Sequence, residues 1–102
     1  MASRLNLQAE LEELLGTRNV YFQPPESIKL HYPCIIYHRS NIRPRYADDT
    51  SYIKTTGYEL TVIDKDPDSD LVERLMNHFR YVSYGRHFNA DNLNHDTLTL
   101  FY

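Results

Sequence analysis

The spacing of apolar residues changes abruptly across the stretch Asp64-Lys65-Asp66-Pro67-Asp68-Ser69-Asp70, and that change constrains the fold more than any other feature of the chain. Before it, Tyr58, Leu60 and Val62 alternate with Glu59, Thr61 and Ile63, the period of two that sends successive side chains to opposite faces of a strand. After it, Leu71, Val72, Leu75, Met76 and Phe79 recur at helical spacing. A strand must end and a helix begin inside this short acidic run. Its alternating carboxylates could also open a Ca²⁺ loop, which needs a Gly for its sharp turn and a bidentate Glu to close the coordination shell. Ser69 and Leu75 stand at those two positions, and Pro67 fixes φ where such a loop must wrap around an ion. The acids therefore read as a helix entry. Asp66, Asp68 and Ser69 are candidate N-caps, Pro67 suits a first helical turn, and negative charge there opposes the positive end of the helix dipole.

The same reading extends along the chain. Leu7, Leu11, Leu14 and Leu15 form the apolar stripe of an amphipathic helix, and Gly16 is placed to stop it. Asn19 to Phe22 reads as a short strand ended by Pro24 and Pro25, because proline removes ladder donors. A second strand is expected at about Cys34 to Arg39, a polar connection from Ser40 to Ser51, and a third strand from about Ile53 to Ile63. The chain closes with a strand at Tyr81 to Tyr84, a polar turn at Asn89 to Asn92, and an alternating strand from Thr97 to Tyr102. The expected order is α-β-β-β-α-β-β. Such a chain is predicted to be α+β, with a mainly antiparallel sheet of about five strands and two helices packed on one face. A single domain over residues 1–102 accounts for the whole length.

The function classes that composition disfavours are several. A net charge of −3 lacks the basic excess that phosphate-backbone binding favours, so no specific nucleic acid is expected. Cys34, the only cysteine, lies in the apolar run Cys34-Ile35-Ile36-Tyr37, where a buried thiol acting as a small hydrophobe is expected and no intrachain disulfide can form. The N-terminal stretch has charges scattered through it and no apolar signal-like core, and the apolar runs fall short of a membrane span. Folding in a reducing cytoplasm and no membrane partner are expected.

Nor does the sequence point to catalysis. His31, His38, His78, His87 and His95 show no metal-ligand spacing, although a hairpin could bring His87 and His95 together. Three glycines cannot make a phosphate-cradling loop, and no serine elbow is present. No enzyme activity, cofactor or metal is expected. Nine tyrosines without a tryptophan lean toward an interaction protein, since aromatics are enriched at interfaces. The one local basic and aromatic cluster is Arg39, Asn41, Arg43, Arg45, Tyr46, Asp48, Asp49 and Tyr52. Its Arg and Tyr are typical interface anchors, and Asp48 and Asp49 could pair with Arg on a neighbouring copy. The same arginines could instead contact phosphates with Tyr46 stacking on a base, and a solvated loop is the third reading.

The segments NVYFQPPESIKLHYPCIIY, YADDTSYIKTTGYELTVIDKDPDSDLVERL and GRHFNADNLNHDTLTLFY together resemble the small tail completion proteins of long-tailed bacteriophages, the tail terminator and head–tail joining group. The resemblance runs from about Asn19 to Tyr102 and implies an α+β subunit that assembles as a ring, commonly of six copies, on the tail tube end facing the head. Its implied partners are further copies of itself, the tail tube protein and head–tail connector proteins, and its implied location is the virion tail after assembly in the host cytoplasm. It brings no catalytic residues. The alternatives are a neck or head-closure protein on the portal side, a small nucleic-acid-binding module using the Arg39 to Tyr46 loop, and a metal-dependent hydrolase using the histidines.

Overall fold

In a computed structural model, the structure describes residues 4–40 and 56–102. The elements follow in the order α1 (Arg4–Leu15), β1 (Val20–Phe22), β2 (Cys34–Arg39), β3 (Gly57–Asp64), α2 (Leu71–His78), β4 (Val82–Ala90) and β5 (Leu93–Phe101). They form an α+β domain around a five-stranded sheet ordered β1-β2-β3-β5-β4. All neighbouring pairs are antiparallel except β1 with β2, which run parallel.

The alternation read in the sequence fixes which face of the sheet is the core. In register, Ile35 stands opposite Val62, Tyr37 opposite Leu60, Leu60 opposite Leu98, and Tyr58 opposite Leu100, so these side chains share one face. That face forms a single buried cluster with Leu7, Leu11 and Leu15 of α1 and with Leu71 and Leu75 of α2. Cys34 and Ile63, opposite each other in register, are buried outside that cluster on the second face. The second face is mixed, with Thr61, Thr97, Thr99, His38 and Glu59 beside Ile36 and Phe88.

Two sequence expectations change at the C-terminal end. Each hairpin strand is nine residues long, and the turn narrows to Asp91-Asn92, both at positive φ (54° and 61°). Paired positive φ at the two central residues is the type I′ geometry whose twist matches the strands, and Asp and Asn tolerate it. The polar run Asn89 to Asn92 was too coarse a guide because Asn89 and Ala90 keep their ladder partners, Asn94 and Leu93. Polarity marks exposure on the outermost strand, not the end of pairing.

Polar side chains fasten the helices. Arg4 donates to the Tyr37 hydroxyl at 3.1 Å and lies 4.3 Å above the Phe22 ring, while Tyr37 donates to Gln8 Oε1 at 2.5 Å. The Gln8 amide donates to the Val20 carbonyl at 2.9 Å, so α1 covers part of the β1 edge. Arg74 of α2 donates to the Leu14 carbonyl at 2.8 Å, satisfying an acceptor that the end of α1 leaves open. Gly16, at φ 86°, takes the left-handed turn that ends α1 as its position predicted.

Candidate assembly interface

The acidic run enters α2 by a different route from the one expected. The N-cap is Asp70, and its side chain makes no capping bond; it accepts from Arg74 Nε at 3.2 Å. Asp66 and Asp68 are not caps. Asp64 Oδ1 accepts the Asp66 amide at 3.0 Å and Asp66 Oδ1 accepts the Asp68 amide at 2.9 Å, two successive turns closed by the side chain two residues back. Ser69 comes nearest to the expected role, its Oγ accepting the Leu71 amide at 3.3 Å from one residue before the cap. The correction has a local cause: a carboxylate closes a turn onto its own chain before the helix amides come within reach.

Among the described residues, no group of three or more His, Cys, Asp or Glu side chains is placed to hold a metal. The hairpin separates the two histidines that the sequence suggested it could unite. His87 faces Asp96 and His95 faces Phe88 in register, so the imidazoles lie on opposite faces. His87 Nδ1 is 2.9 Å from Asp96 Oδ1, the same oxygen that accepts the Tyr84 hydroxyl at 2.6 Å. That bond to Asp96, with some burial, pushes the Tyr84 phenol up to about 12. His95 stacks on Phe88 at 4.8 Å, and Arg86 lies over the other part of that pair, 4.8 Å from the Phe88 centroid. Burial, with Asp64 nearby, pushes the Cys34 thiol up to about 11, which suits a packing group and not a nucleophile.

Among the described residues, the surface that stands out is the outer side of β4. It ends the sheet, and its residues from Ser83 to His87 are all exposed. A bulge between Tyr84 and His87 interrupts the ladder, where the Arg86 amide turns to Thr97 Oγ1 at 3.0 Å. Gly85 is required there, since a Cβ would sit 2.3 Å from Thr97 Oγ1. The opposite side of the sheet is unlike it: β1 has three residues, and α1 reaches over it through Gln8.

Of the interface residues expected from the sequence, Arg39 is described. It is the last residue of β2, exposed, with its amide donating to Gln23 Oε1 at 3.3 Å. Asn41, Arg43, Arg45, Tyr46, Asp48, Asp49 and Tyr52 lie outside the described residues. The β4 surface escaped the sequence reading because strand order decides which strand is outermost. Its absence of acidic residues from Val82 to Ala90 was the available signal. No helix among the described residues is long and apolar enough to cross a membrane. No protein-family model, curated protein or solved structure matches the chain.

Proposed function

We propose that the chain is a structural virion subunit that closes into a ring of about six copies, a stoichiometry taken from the family resemblance and compatible with closed cyclic assembly. The ring caps the head-proximal end of a phage tail tube, ends tail growth and joins tail to head. The resemblance of Asn19 to Tyr102 to tail completion proteins supports this reading. The structural observation that carries it is the pair of unlike sheet flanks, a long exposed β4 on one side and a short, partly covered β1 on the other. A ring closes by joining two different patches of the same subunit, and flanks at opposite ends of one sheet can supply them.

Its partners in this role are its own copies, the tail tube protein and the head–tail connector proteins, and none of these contacts calls for catalysis. Imaging purified virions by electron cryomicroscopy tests the proposal. The expected result is a ring of this chain at the head-proximal end of the tail. Its absence from virions would discard the reading, and a ring seated on the portal would favour the neck alternative.

A further inference from the structure

Among the described residues, β1 and β4 are the two outermost strands of the sheet, and an outermost strand offers unpaired amides and carbonyls to any other strand that reaches it. β1 is guarded in two ways: it has three residues, and Gln8 of α1 donates to its Val20 carbonyl at 2.9 Å. β4 has neither protection. It runs nine residues, contains no proline, lysine or acid, and its one arginine, Arg86, lies in the bulge between Tyr84 and His87.

The ladder to β5 shows which backbone groups of β4 face outward. The Phe101 amide donates to the Tyr81 carbonyl at 2.9 Å, and bonded and non-bonded pairs alternate along an antiparallel ladder, so Val82 and Tyr84 direct their amides and carbonyls outward. At the other end, the tight turn through Asp91 and Asn92 makes Ala90 and Leu93 a bonded pair, so Asn89 and His87 also direct theirs outward. A regular strand presents such groups at every second residue, but here Tyr84 is followed by His87, one residue out of phase. The Arg86 amide, inside that step, is held by Thr97 Oγ1 at 3.0 Å. A strand laid along β4 can match Val82 to Tyr84 or His87 to Ala90, never both. We infer that the bulge is an edge guard: the extra residue at Gly85-Arg86 breaks the phase of the outer backbone groups and prevents a second copy of this chain from extending the sheet through β4. Contacts made at β4, in a ring or otherwise, then run through side chains and not through strand addition.

Deleting Gly85 from the full chain tests the guard. The deletion sets Arg86 opposite Thr97, restores the period of two and spaces the outward groups of Val82, Tyr84, His87 and Asn89 evenly. It should produce a larger, concentration-dependent species in sedimentation that the wild type lacks at the same concentration, and exchange of those amides should slow by about tenfold or more as that species forms. Deleting Arg86 in place of Gly85 repairs the same register and should do the same, which separates the phase of the strand from the loss of either residue. His87→Pro in the Gly85 deletion removes a central outward donor and should abolish the new species. Deletion variants that sediment and exchange as the wild type does overturn the inference, as does association that survives His87→Pro. Slow exchange of the same amides in the wild-type monomer overturns it as well, because the outer side would already be paired. Failure of both deletions to fold would assign the bulge to the folding of the sheet and overturn its role as a guard.

Discussion

Glu10 is where α1, α2 and the end of the chain meet. Its carboxylate accepts the Tyr102 hydroxyl and lies 2.9 Å from His78 Nε2. Partial burial pushes the carboxyl up, but the bonds from Tyr102 and His78 outweigh it and hold Glu10 below its ordinary value. A carboxyl lowered in the folded state stabilises above its unfolded value, and that contribution is lost as pH falls through the folded one. Glu10→Gln should therefore cost about 1 kcal/mol at neutral pH and flatten the acid side of a Tm-against-pH curve. An unchanged acid side would show that Glu10 is uncoupled from folding. Tyr102, pushed up to about 12 by burial and by Glu10, has the opposite dependence: its contribution holds below the ordinary phenol value and is lost as pH rises. The acidic run separates its members just as sharply. Asp66→Ala removes a turn-closing acceptor and should lower stability by about 0.5 to 1 kcal/mol. Asp68 is exposed and accepts no such bond, so Asp68→Ala should change the denaturant midpoint little. Calcium should leave both midpoints in place, because a ligand of the native state would raise them.

At the scale of elements, α1 depends on its leucine stripe and β4 on its bulge. Leu7 and Leu11 are fully buried in the main cluster, and a buried Leu→Ala change costs about 2 to 5 kcal/mol through lost transfer energy and the cavity left behind. Leu11→Ala should shift the urea midpoint by that amount, whereas Leu5→Ala, on the exposed side of the same helix, should stay within about 0.5 kcal/mol. In β4, Gly85→Ala drives a methyl into Thr97 Oγ1, the atom that accepts the Arg86 amide. Relieving that overlap should cost about 1 to 3 kcal/mol. A midpoint unchanged in Gly85→Ala would mean that the bulge relaxes freely.

For the whole molecule, the expected association is governed by residues that the core does not use. Reversing the charge of Arg43 and Arg45, which the sequence marks as interface residues, should leave thermal unfolding unchanged and block tail completion in a complementation assay. Normal completion would remove that cluster from the interface. Salt-sensitive DNA binding by the wild type that disappears in the double variant would favour the nucleic-acid reading instead. The sequence by itself determined the element types and their order, because periods of two and of 3.6 are local properties written into Tyr58 to Ile63 and Leu71 to Phe79. It determined in the same way the burial of Cys34 and the stop at Gly16. Only the tertiary structure decided the parallel pairing of β1, the outermost place of β4 and the separation of His87 from His95, since pairing, strand order and register arise between segments distant in sequence. The entry to α2 was also beyond the sequence pattern. Asp66, Asp68, Ser69 and Asp70 all satisfy the composition of a cap, and the path of the backbone between β3 and α2 selected Asp70.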